Sequence, residues 1–115
     1  MDKEEAYLLG RRVGYELYYL GINMDMAPVL DIFSNPLNTV IGDRAYGSTS
    51  NEVSYKALYF AKGLMEEGII PTGKHFPGHG LTKKDSHFRI PKITQKAEIL
   101  EKEDMLPFEK AIKEN

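Results

Sequence analysis

At 115 residues the chain forms one domain at most. Its 42% hydrophobic and 28% charged residues are ordinary for a globular protein, and a formal charge of −2 gives no electrostatic case for nucleic acid or an anionic membrane. The absence of cysteine excludes disulfides and thiolate chemistry, and no apolar run approaches the roughly 20 residues needed to span a bilayer.

The opening "MDKEEAYLLG" is acidic and amphipathic, not a signal peptide. A soluble, cytoplasmic chain is expected, with a secreted or cell-envelope location of a longer protein left open. The first element predicted is a helix over Lys3 to Leu20, where Leu9, Val13, Leu17 and Leu20 recur at helical spacing and Gly21 stands at the C-terminal cap. "INMDMAPVLDIF", residues 22 to 33, reads as a buried strand containing Pro28 and ended by the turn-prone "SNPLN". Asp25 inside it is expected to be buried and to need a Lys or Arg partner. A second helix starts at "TSNE", where Thr49 and Glu52 have the spacing of a capping box. Val53, Ala57, Phe60 and Leu64 line its buried face and Gly68 closes it. "IIPTGKHF", from residue 69, reads as a second strand. From Thr94 the tail is helical again, with Pro107 in the first turn of a last short helix.

A coarse repeat runs through this order. "YYLGINMDMAPVLDI" and "LMEEGIIPTGKHF" both pass from helix through Gly and Ile to a strand, then to a polar loop. That is the punctuation of successive β/α units with parallel strands, whose chemistry collects in the loops after the strands. Two parallel strands cannot bury both faces or close their edges. The chain therefore either assembles with copies of itself or is a piece of a larger barrel or sheet, and the second explanation is the stronger.

All three histidines lie in "KHFPGHGLTKKDSH", residues 74 to 87. Asp85 and His87 are one residue apart, so in a bent loop the carboxylate can fix the imidazole tautomer and leave the other nitrogen to move a proton. The alternative is a surface loop in which Asp85 caps a turn and His87 is merely exposed. In "KHFPGHG", Lys74 and His75 at a strand end offer donors to hydroxyls or an amide carbonyl, and the glycines let backbone approach a ligand. A purely structural loop remains open. His75 and His79 also have zinc-like spacing, but Pro77, Gly78 and Gly80 argue against the shared helical face such a pair needs. In "IGDRAYG", residues 41 to 47, Arg44 is suited to a substrate hydroxyl or carboxylate, or equally to an ion pair with Asp43 or Asp31.

In their order, "MAPVLDI", "IGDRAYG", "TGKHFPGHG", "DSH" and "LPFEKAI" resemble glycoside hydrolase family 3, in its β-N-acetylhexosaminidase branch. The resemblance covers essentially residues 1–115 and implies part of a (β/α)8 TIM barrel: about two βα units plus a leading helix, from the middle of the N-terminal catalytic domain. It implies that Asp85 and His87 are the general acid/base dyad. It also implies that Arg44, Lys74 and His75 hold a terminal N-acetylglucosamine unit, with His79 shaping the loop. The implied reaction is retaining hydrolysis through a covalent glycosyl-enzyme, with peptidoglycan muropeptides as substrates and neither cofactor nor metal. The family's nucleophilic aspartate follows the dyad well downstream, and Asp104 stands in the wrong context to replace it. The chain alone is therefore expected to lack efficient hydrolysis. From another class, a non-catalytic, self-associating sugar-binding β/α module is the alternative, and a metal-dependent hydrolase is more distant. Exposed strand edges also predict self-association of these residues.

Overall fold

The computed structural model of the protein describes residues 1–80 and 96–114. Helix α1 spans Lys3–Tyr19 and leads to the short strand β1, Met24–Asp25. A long loop with one 3-10 turn, Gly42–Arg44, precedes helix α2, Ser50–Glu66, and strand β2, Ile70–Pro71. Helices α3, Ala97–Lys102, and α4, Leu106–Lys113, follow. Pro107 sits in the first turn of α4, as its missing N–H favours. Among the described residues, no helix is long and apolar enough to cross a membrane.

The repeat in the sequence is a repeat in structure. After α1, Gly21 (φ 78°) donates its N–H to Tyr18 O and Ile22 donates to Leu17 O. After α2, Gly68 (φ 82°) donates to Met65 O and Ile69 to Leu64 O. Both helices therefore end in the same left-handed glycine motif, which turns the chain directly into a strand. Ile69 then packs on Leu64 in the core.

The strands pair in parallel, but far less regularly than an apolar run of a dozen residues suggests. Met24 lies opposite Ile70 and Asp25 opposite Pro71; further on, Val29 lies opposite Lys74. The register has slipped by one residue between these points. The Thr72 N–H is shared between Asp25 O (2.9 Å) and Ala27 O (2.8 Å), which marks a bulge in the first strand. Pro28 has no N–H to give to the ladder, although its carbonyl accepts from Lys74 N–H at 3.1 Å. Beyond the bulge, Val29, Leu30, Asp31 and Ile32 are all buried. Asp25, expected to be buried, is only half-buried, so it escapes the full cost of desolvation. It lies near Tyr46, whose hydroxyl is held above its ordinary pKa first by burial and then by the Asp25 charge.

Helix α2 buries Val53, Ala57, Phe60 and Leu64 as its spacing predicts. Thr49 Oγ1 accepts from Glu52 N–H at 3.3 Å, but the expected capping box is half realised. The Glu52 carboxylate accepts from Ser48 N–H (3.2 Å) and pairs with Lys56 instead of reaching back to Thr49. Helix α1 departs more from expectation. Its buried residues are Ala6, Gly10 and Gly14, whereas Leu9 and Leu20 are exposed and only Val13 and Leu17 are partly covered. The reason is a close helix crossing. A Cβ on Gly10 would lie 2.1 Å from Phe60 O, and one on Gly63 would lie 2.3 Å from Tyr7 O. The seam follows the small residues that let the backbones touch, and the leucines flank it.

Arg11 pairs with Glu67 at 2.5 Å beside this seam, but half of the Arg11 side chain is exposed, so the pair contributes little beside the packing. Gly10→Ala should therefore destabilise the fold by about 1–3 kcal/mol through overpacking. The same change in an open helix interior stabilises by roughly 0.5–1 kcal/mol. Denaturant titration checks the sign, and a raised midpoint would contradict the close crossing.

Candidate functional site

The site is built on a buried carboxylate at the end of the bulged strand. The Asp31 side chain is fully buried. Its Oδ2 accepts from the His75 N–H at 3.1 Å and contacts His75 Nδ1 at 2.5 Å, while Oδ1 accepts from the His79 N–H at 2.6 Å. A single side chain thus gathers the loop that follows the second strand. The peptides Lys74–His75 and Phe76–Pro77 are cis. The two imidazole rings meet edge to face, with centroids 6.1 Å apart.

Asn38 does the complementary work from the loop after the first strand. Buried at 2% exposure, it donates through Nδ2 to His79 O (2.8 Å) and Gly80 O (3.1 Å). Its Oδ1 accepts from the N–H groups of Val40 and Ile41, both at 3.2 Å. The same amide therefore folds the turn that carries Arg44 and fastens it to the histidine loop. Gly80 permits this approach, because a Cβ there would fall 1.9 Å from Ile32 O.

Lys74 occupies a strand end as expected, its backbone bridged to Val29 and its carbonyl accepting from Leu30 N–H at 2.5 Å. The His75 side chain retains 38% of its surface in the open while its Nδ1 is held from behind. Arg44 is exposed on its 3-10 turn, and its Nη1 donates to Val40 O at 3.1 Å. Asp31, offered by sequence as an ion-pair partner for Arg44, is occupied by His75 and His79. Asp85 and His87, the candidate dyad, lie outside the described residues.

His79 shapes the loop through its backbone, which uses both N–H and C=O. Residues 75–80 form turns and no helix, so His75 and His79 share no helical face. Among the described residues, no three His, Cys, Asp or Glu side chains are grouped to hold a metal ion. Asp31 and Asn38 are what the sequence reading missed as site builders. Their signal was faint: the second acid of an apolar run, and an Asn in a stretch read only as a turn.

Asp104 underlies the loop. It is 4% exposed, with its Cβ 2.9 Å from the position a Cβ on Gly78 would take. Burial, and then the charges of Glu103 and Asp31, push its carboxyl up from 3.8 to about 6. Among the described residues, its Oδ2 has no hydrogen-bond partner.

The model of the glycosyl hydrolase family 3 N terminal domain matches residues 1–115. A β-hexosaminidase of Methylococcus capsulatus is 45% identical over 96% of this chain and 33% of its own length. A family 3 β-N-acetylglucosaminidase structure from a Paenibacillus species superposes with a TM-score of 0.97 at 43% identity, covering 99% of this chain and 22% of that one. NagZ of Neisseria gonorrhoeae, solved in complex with N-trifluoroacetyl-D-glucosamine, gives a TM-score of 0.91 at 36% identity over 98% of this chain and 33% of its own. The chain spans a third or less of the length of these relatives. With them as frame, the two β/α units are part of a (β/α)8 barrel.

The Asp104 shift has a definite sign. The folded state binds the extra proton between the unfolded value near 3.8 and about 6, so stability falls as pH rises through that window. Asp104→Asn should raise the denaturation midpoint relative to wild type at pH 7.5, and this advantage should disappear near pH 4. A variant less stable than wild type at pH 7.5 would contradict this.

Proposed function

Because the chain belongs to glycosyl hydrolase family 3, as part of its N-terminal domain, we propose that it is a portion of a retaining β-N-acetylglucosaminidase. The substrate is terminal β-linked N-acetylglucosamine, with peptidoglycan muropeptides as its class. Arg44, Lys74 and His75 hold the sugar. His87 moves the proton and Asp85 orients it. The observation that carries this reading is the joint fastening of the two post-strand loops by Asp31 and Asn38, which ties the candidate sugar-holding segments into one unit. The relatives named as β-hexosaminidase and β-N-acetylglucosaminidase support it.

The chemistry follows from the residue types. Protonated imidazole at His87 gives its proton to the leaving glycosidic oxygen as the sugar passes to a nucleophile. The neutral ring then takes a proton from the water that releases the sugar. Retaining hydrolysis also needs a nucleophilic carboxylate, and none of these 115 residues is assigned that role, so the residues alone are expected not to turn over. In a complete barrel carrying them, His87→Ala should lower kcat roughly 10²–10⁴-fold. The loss should shrink for substrates whose leaving groups need no proton. A loss confined to KM would assign His87 to binding and contradict the reading.

A second reading takes the 115 residues as a self-associating sugar-binding module. The apolar side chains left open beside β1 favour association: Tyr18, Tyr19, Leu20 and Met26 are each more than half exposed. Sedimentation equilibrium of the 115-residue chain should show oligomers, and a monodisperse, cooperatively folding monomer would remove this reading.

A further inference from the structure

We propose that Asp31 is a positioning residue that fixes the tautomer of His75, making its Nε2 a hydrogen-bond acceptor for a sugar hydroxyl. The inference rests on the reading of His75 as a sugar-holding residue and goes beyond it by specifying what that residue can recognise. A carboxylate only accepts, so the 2.5 Å contact between His75 Nδ1 and Asp31 Oδ2 places the ring hydrogen on Nδ1. In the neutral ring Nε2 then carries no hydrogen, and it pairs with O–H donors but not with a carbonyl.

Three features hold the ring in this tautomer. Asp31 is fully buried, so water does not compete for its oxygens. The same oxygen also accepts from the His75 backbone N–H, which fixes the ring's attachment point to the group that orients it. The other oxygen is occupied by the His79 N–H at 2.6 Å, so the carboxylate cannot turn away without breaking the loop. Meanwhile the His75 side chain keeps 38% of its surface open, leaving it accessible to a ligand.

Asparagine at position 31 cannot satisfy this arrangement. One of its ends is a donor, and it must face either the His79 N–H or the His75 N–H together with the ring. Turned toward His79, it would keep its oxygen on the ring and leave the tautomer as it is, so Asp31→Ala, which removes both acceptors, is the informative change. The test is the ¹⁵N spectrum of the His75 ring in the complete barrel, at a pH where the ring is neutral. Wild type should show hydrogen on Nδ1, and Asp31→Ala should move population toward Nε2–H. A wild-type ring with its hydrogen on Nε2, or a tautomer unmoved by Asp31→Ala, would overturn the proposal. Should the variant fail to fold, the wild-type spectrum decides alone.

Kinetics then link the tautomer to recognition. His75→Asn keeps a donor near the place of Nδ1 but lacks Nε2, and should lose on the order of 10-fold in kcat/KM through KM. Asp31→Ala added to that variant should cost less than the same change costs in wild type, because the part of its effect that runs through Nε2 is already gone. Fully additive losses would make Asp31 merely structural. If the barrel hydrolyses no N-acetylglucosaminide, the functional reading fails while the spectrum still decides the tautomer.

Discussion

Fully buried against the end of the first strand, the Asp31 carboxylate accepts from the His75 N–H, the His75 ring and the His79 N–H. A buried carboxylate without partners is costly, and so is a loop of unsatisfied backbone donors; each supplies what the other lacks. The arrangement also sets what the strands must do. The bulge between Asp25 and Val29 shifts register by one residue, and beyond it the chain runs buried through Leu30, Asp31 and Ile32. Asn38 then closes the other side by holding His79 O and Gly80 O. The histidine loop is thus suspended between two buried side chains from the preceding β/α unit.

The scaffold behind it is of a different kind. Helices α1 and α2 meet at Gly10 and Gly63 with backbones in contact, and both end in the same glycine turn that delivers the chain into a strand. Phe108 of α4 packs on Leu30 and Ala57 and meets the Phe76 ring edge to face at 5.4 Å. This last contact joins the tail of the chain to the same loop that Asp31 holds. Asp104, its carboxyl pushed up to about 6, lies beneath that loop at Gly78.

Much of this was legible from local pattern. Capping and termination signals located α2 and the ends of both helices, because Thr49, Gly21 and Gly68 act within a few residues of themselves. The repeat pointed to β/α units for the same reason, whereas the barrel was implied by the family resemblance of the ordered motifs. What local pattern missed was decided across the chain. The leucines of α1 made a better stripe than Ala6, Gly10 and Gly14, yet close approach to Phe60 selected the small residues. Thr72 sharing its N–H between two carbonyls broke the long strand, which no reading of "INMDMAPVLDIF" alone reveals. Asp31 was legible only as a candidate partner for Arg44, since its bonds reach more than forty positions along the chain.

The most direct measurement is a crystal structure of the complete barrel with N-acetylglucosamine bound. The sugar should contact Arg44, Lys74 and His75, with a hydroxyl within hydrogen-bond distance of His75 Nε2 and Nδ1 still on Asp31. A sugar seated elsewhere, or a His75 ring released from Asp31 when the site is filled, would contradict this reading.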